Sequence, residues 1–124
     1  MNQRERPIPA EIAWEGDAKD VLIGFPENVK WALGYSLRAL QSGRRPRCEI
    51  RSMPSVGKGV WELKESDERT WYRVMYLKEI RGVIHVLHCF EKDSRKTDRR
   101  DIELAASRLQ AVQQRMREQN RGQR

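Results

Sequence analysis

The sequence predicts an α+β domain: an N-terminal helical hairpin packed on a mostly antiparallel β-sheet meander, with a C-terminal helix. Three observations carry this reading. Apolar residues recur at near four-residue spacing early in the chain, the spacing then falls to two or to continuous runs, and a helical stripe returns at the end. Helices, consecutive strands and a terminal helix, in that order, point to helices packed on one face of a sheet. The other face would then be left for function.

Residues 1–10 carry prolines and charges without an apolar period, so a flexible arm is expected there. Ile12, Ala13 and Trp14 read as a short edge strand. Asp17 is a candidate N-cap for a first helix over AKDVLIGF, which Phe25-Pro26 ends because the residue before proline resists the helical region. Pro26 restarts the chain well at a helix start, and Glu27 suits the positive end of the helix dipole. Val29, Leu33, Leu37 and Leu40 then repeat along one face until Gly43. The pair forms a helical hairpin across residues 18–42.

After GRRPR, residues 48–53, 59–64, 70–77 and 82–90 are short runs rich in β-branched and aromatic side chains, divided by polar turns. The last run is apolar on both faces and reads as an inner strand. Ile102, Ala105, Leu109, Val112 and Met116 form a helix stripe with Thr97 or Asp98 as its cap. Fraying is expected after Arg117. The domain is therefore bounded at residues 11–117, with a basic tail over 118–124, and a chain of 124 residues suits one core.

Composition narrows the chemistry. Lys and Arg number 25 against 18 Asp and Glu, a net charge of +7, and residues 92–124 alone hold ten Lys/Arg against five Asp/Glu. Such a balance attracts polyanions, with nucleic acid, acidic protein and anionic membrane surface all open on charge alone. Cys48 and Cys89 belong to no CxxC or Cys/His cluster and read as reduced core residues. The first residues hold no apolar stretch of secretory-signal length, and no run approaches the ~20 residues needed to cross a bilayer. A cytoplasmic location follows as the expectation.

Strand alternation places candidate side chains. Val60, Glu62 and Lys64 share one face, opposite Trp61 and Leu63; Arg73 lies with Trp71, Met75 and Leu77, opposite Tyr72, Val74 and Tyr76. His88 would share a face with Ile84, Val86 and Phe90. An arginine in so apolar a strand is costly unless it meets an anion or a carboxylate. Arg73 is therefore either half of a cross-strand ion pair with Glu62 or a fork that holds a phosphate in two hydrogen bonds. Glu62 is equally open, as partner to Arg73 or Lys64 or as a base against a ribose hydroxyl. His88 is either a satisfied core histidine or a proton donor. Lys58, between two glycines, is a loop cation able to approach a backbone, or simply solvated. His85 and His88, three apart, would point to opposite faces, which disfavours a two-histidine metal site, and no Walker, GxGxxG or GxSxG motif occurs.

The succession GVWELK, WYRVMYL, VIHVLHCFEKDSRKT and DIELAASRL, with AWEG, IGFP and LRALQSGRRP before it, resembles the RelE/ParE toxin superfamily. The likeness is closest to its HigB-like, phage-associated branch and covers residues 12–109. It implies a RelE-like fold and the toxin of a type II toxin–antitoxin pair. It also implies an endoribonuclease that cuts mRNA, often on the ribosome, by attack of the substrate 2′-OH without a metal or cofactor. Under the resemblance, Arg73 matches the arginine that contacts the reacting phosphate and Lys92 the basic residue beyond the last strand. Glu62 is the base by analogy, and His88 or Lys92 the acid. Lys58, Lys64, Tyr76, Arg95 and Lys96 are the expected RNA contacts. The implied partners are a cognate helix-turn-helix antitoxin, in a hetero-oligomer, and mRNA, with no membrane. Some superfamily members carry lysines where this chain has Val60 and Glu62, and others poison DNA gyrase and cut no RNA. A gyrase-directed toxin and a non-catalytic, phage-derived RNA-binding module therefore stand beside the nuclease.

Overall fold

The structure, a computed structural model, describes residues 8–93 and 97–122. Strand β1 (Glu11–Trp14) leads into helices α1 (Ala18–Ile23) and α2 (Glu27–Gln41). Strands β2 (Glu49–Ser52), β3 (Val60–Ser66), β4 (Trp71–Ile80) and β5 (Val83–Lys92) follow, and α3 (Arg99–Gly122) ends the chain. The open sheet has the order β1-β5-β4-β3-β2, with β1 parallel to β5 and every other pairing antiparallel. The predicted α+β architecture is the one observed. Because β1 and β2 are opposite edges, α1 and α2 carry the chain across one face.

That face holds the larger core. Leu22, Phe25, Val29, Leu33 and Leu37 pack on Leu63, Tyr72, Val74, Ile84 and Val86. Helix α3 packs on the other face, burying Ala105, Leu109 and Val112 against Val60, Met75, Leu77, Leu87 and Phe90. The expectation of a sheet face left open is thereby corrected. Met75, Leu77 and Phe90 give that side an apolar surface of its own, and the α3 stripe must be buried somewhere.

A break in register changes β5. Met75 pairs with His88 but Tyr76 pairs with Val86, so Leu87 is an extra residue and the strand bulges. Ile84 and Val86 face the N-terminal helices, while Leu87 and Phe90 face α3. His88 does not share a face with Ile84 and Val86, as simple alternation predicted. His85 lines a cavity with Val112, Arg115 and Met116 of α3, and His88 bonds Asp101 of the same helix. Both histidines therefore lie on the α3 side, because one inserted residue restores the parity that a spacing of three removes.

The helix starts also differ from expectation. Asp17 occupies the N-cap position of α1 without a side-chain capping bond. Its carboxylate instead accepts from Arg108 of α3 at 2.8 Å, which holds it below the ordinary aspartate range. Helix α3 runs on to Gly122 where fraying was expected, carried by Gln114–Arg117 and Gln114–Glu118 bonds and by Arg81 donating to Asn120. Arg81 and Gly82, with φ of 52° and 81°, form a two-residue turn of the kind that matches strand twist. Among the described residues, no helix is long and apolar enough to cross a membrane. Residues 1–7 of the expected arm lie outside the described residues, whereas Ala10 is already in the core.

Gly57 is where the loop before β3 meets α3. A Cβ there would lie 2.4 Å from Leu109 Cδ2, inside the core. Gly57→Ala should therefore cost about 1–3 kcal/mol through overpacking. Gly34→Ala, within α2 and with nothing inside 4 Å of the added carbon, should stabilise the fold by about 0.5–1 kcal/mol. Urea unfolding of the two variants should move in opposite directions.

Candidate functional site: a charged network beneath the terminal helix

Pairing stacks the candidate residues in adjacent rows of the α3-side face. The first row reads Arg51, Glu62, Met75, His88; the second Glu49, Lys64, Arg73, Phe90; the third Ser66, Trp71, Lys92. Glu62, Lys64, Arg73, His88 and Lys92 are thus brought together. Alternate residues of β3, β4 and the post-bulge half of β5 point the same way.

At the centre, Arg73 and Glu62 are both fully buried. Arg73 Nη1 donates to Glu62 Oε1 at 3.0 Å and to Thr97 Oγ1 at 2.8 Å. Of the two roles open to Arg73 in the sequence, the ion pair is the one in place. Arg51 approaches the same Glu62 oxygen at 4.0 Å, while Glu62 Oε2 has no hydrogen-bond partner among the described residues. Desolvation pushes the Glu62 carboxyl above the ordinary glutamate range, against the opposing pull of Arg73, Arg51 and Lys64.

The segment leading into α3 takes up the other candidates. Asp101 Oδ1 lies 2.8 Å from His88 Nε2, and the imidazole stacks on Phe90 with centroids 4.7 Å apart. His88 Nδ1 is buried and has no partner among the described residues. Lys92 donates to Asp98, whose carboxyl is held below the ordinary aspartate range by that bond. Three side chains within five residues, Thr97, Asp98 and Asp101, therefore engage Arg73, Lys92 and His88. Thr97 and Asp98 were the predicted caps of α3; their side chains reach strand cations.

The remaining predicted contacts are dispersed. Lys64 lies 3.7 Å from Glu49 and 5.4 Å from the centroid of Trp71, on the rim of the network. Lys58 is exposed in the loop before β3. Tyr76 is buried on the opposite face beside Trp61 and Ile84, and burial pushes its phenol up to about 12. Strand alternation already separated it from Arg73, so it does not join this site. Arg95 and Lys96 lie outside the described residues.

Sequence reasoning did not single out Arg51 or Asp101, and it set Trp71 on the face of Arg73 without a role. Arg51 and Trp71 follow from strand alternation once the pairing is known; Asp101 depends on where α3 lands. A second network, away from these rows, joins Glu15 to His85 at 3.1 Å and to Arg115 at 2.7 Å. Burial raises the Glu15 carboxyl, but the bonds from Arg115 and His85 outweigh it and leave it below its ordinary range. Among the described residues, no group of three or more His, Cys, Asp or Glu side chains could hold a metal ion.

Together these features define a small α+β domain with helices on both faces of an open sheet and a basic and acidic network closed under its last helix. Residues 20–110, from α1 into α3, match the family model described as Phage derived protein Gp49-like (DUF891), and the chain belongs to that family. No curated protein and no solved structure matches it.

Proposed function

We propose that this chain is a phage-derived, RNA-binding module of RelE/ParE toxin build that acts in the cytosol by gripping RNA and not by cutting it. The observation that carries this reading is the complete burial of Arg73 and Glu62 against each other. With His88 and Lys92 also engaged by Asp101 and Asp98, the groups needed for phosphoryl transfer are committed to the fold. A catalytic group must reach the atom it acts on, and a fully buried pair reaches nothing outside the protein. Binding asks less. Exposed Arg51 beside Glu62 and the half-buried Trp71 leave a cation and an aromatic ring at the rim, Lys58 is exposed in the loop before β3, and the net charge of +7 favours a polyanion. A cognate antitoxin with an acidic segment would neutralise such a surface in a hetero-oligomer.

The second reading is the mRNA-cleaving toxin. It is favoured by the convergence of Glu62, Arg73, His88 and Lys92 in adjacent rows, which displacement of residues 97–101 would uncover. Arg73 and Lys92 would then face the charge that gathers on the phosphate during 2′-OH attack.

Induced expression with mapping of mRNA 5′ ends, beside RNA binding by the purified chain, decides between them. The expected result is binding that weakens with salt and no new 5′-OH ends. New 5′-OH ends that disappear in a folded Lys92→Ala variant would establish the nuclease. Growth arrest with intact mRNA and accumulated DNA breaks would establish the gyrase-directed toxin.

A further inference from the structure

The outer side of α2 carries a feature that neither core nor network uses. Val29, Leu33, Ser36 and Leu37 are the buried side of this helix, yet Trp31 is 64 % and Tyr35 45 % exposed. Their rings stack on each other with centroids 5.3 Å apart and planes 20° from parallel. An aromatic pair one turn apart adds only about 0.2–0.5 kcal/mol to a helix, little reason to hold so much apolar surface in water.

The helix and the segment that follows it are rich in cations. From Asn28 to Cys48 the chain has five Lys/Arg and no Asp/Glu. Arg38 is exposed one turn beyond Tyr35, and Arg47 lines a cavity of about 190 Å³ together with Trp31, Ala32, Tyr35, Cys48 and Glu65. Of the nearby carboxylates, Glu27 is paired with Lys30 at 3.1 Å; Glu65 lines the cavity itself, hydrogen-bonded to the Ser66 amide at 3.0 Å, and Arg47 in the same lining offsets its charge.

We propose that this face is a base-stacking platform for single-stranded RNA, with Trp31 and Tyr35 receiving bases and Arg38 and Arg47 the phosphates beside them. The inference rests on the RNA-binding reading above and adds a second contact on the far side of the sheet. Flat aromatic surface next to arginines matches a strand whose bases are free to stack, since paired bases cannot leave their own stack without cost. The two surfaces meet at the free edge of the sheet. Cys48 lines the aromatic cavity, and Glu49, the next residue, pairs with Lys64 on the other face. Edge strand β2, carrying Arg51, lies between them.

The test is anisotropy titration of a labelled single-stranded oligoribonucleotide, and of its duplex, with the full chain. Combined Trp31→Ala and Tyr35→Ala should weaken single-strand binding by about 5-fold to 150-fold for each base that stacks, the range such substitutions produce elsewhere. Trp31→Phe should retain most of the affinity, and duplex binding should hardly change. Both aromatics are exposed, so circular dichroism should show the folded state unaltered. A folded double variant that binds the single strand as the parent does overturns the platform while RNA binding stands. Failure of the parent chain to bind RNA at low salt removes both readings. Loss of self-association or of protein capture in the double variant, with RNA affinity intact, would assign the face to a protein and overturn the proposal.

Discussion

Replacing Arg73 by methionine is expected to destabilise the domain by about 3–5 kcal/mol, because it leaves the Glu62 carboxyl buried without its cation. The side chains are of similar length, so little of the loss comes from an emptied volume. The penalty should depend on pH with a definite sign. Burial already raises Glu62, and removing Arg73 takes away an opposing pull, so the folded-state value rises further above the unfolded one. A group raised on folding contributes stability below its unfolded value and loses it as pH rises through its folded value. The deficit of Arg73→Met relative to the parent should thus be smallest in buffer below the ordinary glutamate range and grow toward alkaline pH. Adding Glu62→Gln should recover much of the loss, since no charge then remains to be desolvated. Urea unfolding across pH checks all three statements. A deficit that is flat with pH, with no recovery in the double variant, would mean that the ion pair is not what Arg73 contributes.

Leu109→Ala should cost about 2–5 kcal/mol, the usual range for emptying a leucine site in a core. Leu109 sits in the centre of the α3 stripe, 4 % exposed and against Gly57, where the loop backbone has no side chain to swing into the gap. The effect should reach beyond global stability. Thr97, Asp98 and Asp101 are held over Arg73, Lys92 and His88 by the docking of α3, so loosening the helix should release those bonds first. Hydrogen exchange should show faster opening of α3 than of β4 in this variant. Uniform acceleration of both elements would show that α3 unfolds only with the whole domain. Cleavage that appears in Leu109→Ala and is absent in the parent would favour the nuclease reading over simple binding.

The main elements were legible because each repeats a local period. The apolar stripes of α2 and α3 and the alternation in β3 and β4 are properties of consecutive residues; burial follows the helix stripes, whereas residues 72–77 of β4 are buried on both faces because helices cover both sides of the sheet. Arg73 was legible for the same reason, as a charge where the pattern required an apolar side chain. Glu62 and Lys64 were placed together on one face of their own strand, and the pairing of β3 with β4 sets that face with Arg73. Tyr76 could have been set aside by that alternation, which already put it opposite Arg73.

What the sequence determined by itself is therefore the α+β order of elements, the strand faces wherever pairing is regular, and an arginine inside an apolar strand that had to find an anion. Tertiary structure alone decided which anion. Glu62 and Arg73 lie in neighbouring rows by pairing of β3 with β4, while Thr97 and Asp101 arrive only because α3 docks on that face. The bulge at Leu87 is likewise a property of two strands in register, and it turned both histidines to the side of α3. Periodicity reports what one segment needs to bury. The face that buries it, and the side chains that meet there, are fixed by contacts between segments far apart in the chain, whose energies no local pattern contains.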